Sequence, residues 1–92
     1  MSPKQSSIGN IAGVGFAKIT RDPRGNTKCD GKFSPASEAE AFMLGSQEGL
    51  SFTGPVYDGG KEEHLTFPIF IRRVQGREVE FSSIANPYGK KP

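Results

Sequence analysis

The single histidine, His64, follows Glu62 and Glu63 and lies six positions after Asp58. Histidine titrates near neutrality, so this grouping raises two chemistries: general acid–base work and metal ligation. Neither pattern is completed. No serine sits in a G-x-S-x-G elbow, and one histidine with three carboxylates around Gly59-Gly60 matches no recurrent ligand spacing. His64 therefore reads as a solvent-facing or half-buried residue. Cys29 is the only cysteine and follows Lys28. A neighbouring cation can lower a thiol pKa, yet a lone small residue in a hairpin strand reads as packing. One cysteine also forbids an intramolecular disulfide and a multi-cysteine zinc site. No acid–base pair stands out, and the expectation is a protein that is not an enzyme and takes neither cofactor nor metal.

A second motif is Gly13-Val14-Gly15-Phe16. It completes neither of the glycine-rich phosphate loops. Over about seven residues it resembles the glycine–aromatic strands of RNA-recognition and cold-shock domains, which stack bases on exposed rings. Lys18 and Thr20 follow on the side of Phe16 where a second aromatic would stand, so Phe16 is expected in the core of a glycine-loosened strand.

Charge supplies the strongest signal. Residues 1–35 carry Lys4, Lys18, Arg21, Arg24, Lys28 and Lys32 against Asp22 and Asp30, a net +4. Residues 36–63 carry Lys61 against Glu38, Glu40, Glu48, Asp58, Glu62 and Glu63, a net −5. Residues 64–92 carry Arg72, Arg73, Arg77, Lys90 and Lys91 against Glu78 and Glu80, a net +3. Such a basic–acidic–basic chain can fold with one basic and one acidic side. Arg21, Arg24, Asn26, Lys28 and Lys32 form a first candidate contact cluster for phosphates, and Arg72, Arg73 and Arg77 a second.

The elements that must position these residues follow from periodicity. Residues 1–10 are polar and read as a flexible arm. Ala12 to Thr20 alternates as a strand, Asp22-Pro23-Arg24-Gly25-Asn26 is turn chemistry, and Thr27 to Phe33 returns as a second strand. Ser34 can cap a helix with Pro35 in its first position, or Ser37 and Glu40 can form a capping box one turn later. Ala36, Ala39, Phe42 and Met43 share the stripe expected to face a sheet. Leu50 to Tyr57 has strand character, with Gly54-Pro55 marking an edge, bulge or break. Residues 64–74 form the most apolar run, with Pro68 requiring an edge or bulge, and Phe67, Ile69 and Ile71 on one side of a strand expected to be covered partly on both faces. Arg77 to Ile84 returns after a turn at Gln75-Gly76, with Val79 and Phe81 inward. The order β-β-α-β-β-β predicts an α+β domain over 11–85, an antiparallel sheet of about five strands with one helix on a face, and a polar tail over 86–92.

Ninety-two residues with seven Phe, two Tyr and no Trp supply one small core and little for a substrate pocket. No apolar run is long enough for a secretory signal or a spanning helix, and the expected setting is cytoplasmic. The whole chain, through the basic hairpin Lys18–Lys28, the run Ile71–Arg77 and the acidic SEAEAF segment, resembles small phage-encoded anti-CRISPR proteins that inhibit the type I-F (Csy) surveillance complex. The resemblance implies an inhibitor in the cytoplasm of an infected bacterium. It would dock on the RNA-guided complex, contact Cas subunits and guide-RNA phosphates, and block target-DNA binding by occupation. The chain's basic excess departs from the acidic habit of many such inhibitors, which speaks against simple DNA mimicry. A small nucleic-acid-binding domain acting through the two basic hairpin patches is the alternative reading, and a virion or scaffold component a third.

Overall fold

The computed structural model describes residues 4–25 and 27–84. Six strands and one helix follow in chain order: β1 (Lys4–Ile8), β2 (Ile11–Arg21), β3 (Thr27–Pro35), α1 (Glu38–Gly45), β4 (Ser51–Asp58), β5 (Lys61–Gln75) and β6 (Glu78–Ser83). The fold is α+β, and its sheet closes into a barrel in the order β1-β2-β3-β6-β5-β4. Neighbours around this ring are antiparallel, and a short parallel pairing also joins β2 to β4 at Ala17–Val56 and Lys18–Tyr57.

The sixth strand comes from the segment expected to be an arm. Ile8 and Ile11 face each other across Gly9-Asn10, and Gly9 takes φ 60°. That two-residue connection is hairpin chemistry, because the right-handed twist of paired strands suits a turn of positive φ. The strand is held by burial of Ile8 and by antiparallel pairing of Ser7 and Ile8 to Thr53 and Phe52, which closes the ring.

Gly54 makes that closure sterically possible. A Cβ there would stand 2.5 Å from the Ser6 Cβ and 2.7 Å from the Phe52 ring. Gly54-Pro55 is thus no break: β4 runs through both residues, paired to Leu65 and His64. Pro68 lies where β5 passes from its pairing with β4 to its pairing with β6, and the register shift falls further on, between Ile71 and Arg73.

Inside the barrel Phe33, Phe52, Phe67 and Phe81 are buried with Ile8, Ile19, Val56, Ile69 and Val79. Phe52 packs against Phe81 and Phe67 at centroid separations of 4.6 and 5.7 Å. Offset and tilted ring pairs of this kind add about 0.5–1.5 kcal/mol beyond the area they bury.

The helix starts later and faces differently from the primary expectation. Pro35 ends β3 and is buried, and the N-cap is Ser37, whose Oγ accepts from the Glu40 N–H at 3.3 Å. The later start, at Ser37, is therefore the one that forms, with the Ser37 hydroxyl also donating to Glu40 Oε1 at 3.4 Å. Ala41 and Leu44 are the residues buried against β5, β3 and β6, while Phe42 is 75% and Met43 49% exposed. Ala41 and Leu44 are three residues apart and so share the inward face, and Phe42 and Met43 fall outside it.

Candidate nucleic-acid interface

Strand alternation decides what the outer wall carries. Ala17 and Ile19 of β2, Cys29 and Phe33 of β3, Val79 and Phe81 of β6, and Phe67 and Ile69 of β5 point inward. Phe16 and Lys18, Lys28 and Lys32, Glu80 and Ser82, and Phe70 therefore belong to the outer face. The pairing aligns them in two rows across β2-β3-β6-β5. One runs Lys18, Asp30, Ser82, Phe70, and the other runs Phe16, Lys32, Glu80, Arg73. The bulge at Arg72 re-aims β5 so that two successive arginines lie over this wall.

The expectation for Phe16 is corrected: its neighbours Gly15 and Ala17 face the interior, and Phe16 stands half-buried on the outer wall. The second aromatic comes from another strand. Tyr57, in register with Lys18 across the parallel β2–β4 pairing, meets Phe16 edge-on at 6.3 Å and 67°. Phe70, on the other side of the strand expected to be covered partly on both faces, is 50% exposed. Large apolar side chains left on a charged wall are candidate contact points.

Lys28 and Lys32 of the first basic cluster and Arg72 and Arg73 of the second come together on this wall. Lys28, Phe70, Arg72 and Ile84 border a concavity of about 540 Å³. Phe16, Lys32, Arg72 and Glu80 border a smaller one of about 180 Å³, with Asp30 between the two. Arg73, Arg72 and the exposed Phe42 border a third of about 390 Å³ between β5 and α1. Arg72 lies 3.7 Å from Asp30 and Lys32 3.9 Å from Glu78. Ser82 Oγ donates to Asp30 and so orients that carboxylate. Exposed pairs of this length are worth about 1 kcal/mol or less and can open to an incoming anion. Lys18, Lys28 and Arg73 make no ion pair among the described residues.

The other candidate residues are placed differently. Arg21 binds Asp58 with both terminal nitrogens, at 2.6 and 2.9 Å, and ties the end of β2 to the end of β4. Arg24 lies in an exposed turn closed by the Gly25 N–H donating to the Asp22 carbonyl, with Gly25 at φ 87°. Asn26 lies outside the described residues. Arg77 donates from Nε and Nη2 to the Pro35 carbonyl at 3.1 and 3.0 Å and so fastens the β5–β6 turn to the end of β3.

Two carboxylates of the acidic stretch are paired with basic residues from the N-terminal part of the chain. Asp58 is held by Arg21, and Glu62 accepts from the Lys4 ammonium at 2.6 and 2.8 Å. That hydrogen bond, the largest influence on each, holds the Glu62 carboxyl below its usual range and the Lys4 amine above its own. His64 is exposed, across the ladder from Pro55. Burial, followed by the charge of Asp30, pushes the Cys29 thiol up to about 12, opposite to the shift that would activate it. Among the described residues no three His, Cys, Asp or Glu side chains are grouped to hold a metal ion, and no helix is long and apolar enough to cross a membrane.

Lys18, Phe16, Tyr57, Phe70 and Phe42 extend the candidate set. Period-two alternation contained the signal for Phe16 and Lys18, because the inward side of β2 is filled by Ala17 and Ile19. The link from Phe16 to Tyr57 is tertiary and has no sequence spacing. Comparison with protein families, curated proteins and solved structures found no match to this chain.

Proposed function

We propose that this protein binds single-stranded nucleic acid on the outer wall of β2-β3-β6-β5, without chemistry. The observation that carries the reading is the interleaving of rings and cations on one surface: Phe16 and Phe70 amid Lys18, Lys28, Lys32, Arg72 and Arg73. Unstacked bases present faces that rings can cover, whereas a duplex hides them. Stacking contributes about 1–3 kcal/mol per base and cations follow the phosphates.

The test is titration of single-stranded DNA and RNA oligonucleotides, with duplex of the same sequence as control, across a range of salt. Single strands are expected to bind tighter than duplex. Phe70→Ala is expected to weaken binding about 5- to 150-fold with the melting temperature unchanged, since the ring is half in solvent. Lys28→Ala and Arg73→Ala are each expected to reduce the slope of log K against log salt by about 0.7, the value of one single-strand phosphate contact. Equal binding of duplex, or unchanged slopes in both variants, refutes this assignment.

A second reading is docking on a ribonucleoprotein such as an RNA-guided surveillance complex, as the anti-CRISPR resemblance implies. It is favoured by Phe42 and Met43, which expose apolar surface on α1, Phe42 bordering the same concavity as Arg73, a surface suited to protein contact. Binding to the assembled complex with no binding to its naked guide RNA, lost on Phe42→Ala, would select this reading over the first.

A further inference from the structure

The wall that gathers cations also holds a carboxylate that none of them neutralises. Glu80 is half-buried and stands in the row between Lys32 and Arg73. Neither cation lies within ion-pair distance of it: Lys32 turns to Glu78, and Glu80 makes no hydrogen bond or ion pair among the described residues. On a surface that only held phosphates, such a group would repel the ligand and weaken binding. Its position gives it another use. Glu80 borders the small concavity beside Phe16, while Lys32 and Arg72 border the same depression.

We propose that this concavity is a base subsite selective for guanine, an inference that rests on the single-strand reading above. A base stacked on the Phe16 ring turns one edge toward Glu80, and Lys32 and Arg72 take the adjoining phosphates. Guanine alone presents two neighbouring donors on its Watson–Crick edge, N1–H and the exocyclic amine, and these match the two acceptor oxygens of a carboxylate. Adenine and cytosine each set a ring-nitrogen lone pair beside their amine, which meets the carboxylate repulsively. Thymine and uracil offer one N–H between two carbonyls. Bases splayed from a single strand are read along this edge, and a bidentate match supplies discrimination.

The test uses thymine (or uracil) dodecamers with one central position varied among guanine, adenine, cytosine and inosine, on whichever backbone binds the tighter. Guanine is expected to bind roughly tenfold tighter than adenine or cytosine. Inosine, which keeps N1–H and lacks the amine, is expected to lose most of that gain. Glu80→Gln is expected to lose the preference for guanine over adenine and cytosine, whose amine and neighbouring ring nitrogen an amide can match, and to bind the unsubstituted dodecamer at least as tightly as the wild type, since a negative charge is gone. Indifference of the wild type to the varied base, or a preference kept intact by Glu80→Gln, overturns the guanine subsite alone. Failure of every strand to bind overturns the single-strand reading beneath it.

Discussion

Cys29 shows what the interior does to a reactive group. Its thiol ionises ordinarily near 9.0 and in the folded protein near 12, so between those values the native state holds a proton that the unfolded chain releases. By linkage, the stabilisation is complete below pH 9.0 and is lost as pH rises toward about 12. Cys29→Ala is expected to be less stable than wild type at neutral pH, from the lost packing, and to lose less further stability on raising the pH to about 10. Urea midpoints at both pH values measure this, and parallel declines in the two proteins would contradict it. Cys29 is legible as packing because it is a lone small residue in a hairpin strand. The sequence could not separate Arg77 from Arg72 and Arg73. All three belong to one basic run, yet Arg77 is committed to the Pro35 carbonyl, a partner 42 positions away. The contacts of arginine depend on where its long side chain ends, and local spacing does not encode that.

At the scale of elements, most strands were legible because alternation and turn residues act locally. Asp22 to Gly25 and Gly59-Gly60 connect strands as their chemistry requires, and both Gly59 and Gly60 take positive φ. The helix shows the limit. Ser34-Pro35 and Ser37-x-x-Glu40 are both adequate starts, and local preference alone does not rank them. Tertiary structure does: Pro35 is retained by β3 through its pairing with Gly13 and its bond from Arg77, so the helix begins at the second signal. Ser37→Ala is expected to destabilise the protein by about 1 kcal/mol, the usual cost of a lost N-cap. Ser34→Ala, on the strand side of that boundary, should leave the start of the helix unchanged. Denaturant titration of both variants distinguishes the two starts, and a larger loss for Ser34→Ala would contradict the assignment. The inward face is set by packing as well: Ala41 and Leu44 meet the sheet, and the larger Phe42 and Met43, which local periodicity places inward, are left exposed.

For the whole molecule, the decisive difference is closure. A chain read from residue 11 onward predicts a sheet of about five strands, whereas β1 adds a sixth and, with the short β2–β4 pairing, completes a ring. The signal was present as Ile8-Gly9-Asn10-Ile11, two β-branched residues flanking a hairpin dipeptide, but a polar, serine-rich context masked it. Removing residues 1–9 is expected to abolish a cooperative thermal transition, because it uncovers β4 and removes the buried Ile8 side chain, worth about 1.5–3 kcal/mol by itself. A truncated protein melting cooperatively within a few degrees of the full chain would refute a structural role for that segment. The ring has a further consequence in time. β6 sits between β3 and β5, although it is the last strand along the described chain. While the chain emerges in order, Phe33 and Cys29 on one flank and Ile69 on the other must wait for Val79 and Phe81 to be made. The interior is therefore completed by its final hairpin, and a chain interrupted just before residue 78 would leave apolar flanks open for quality-control proteases to find.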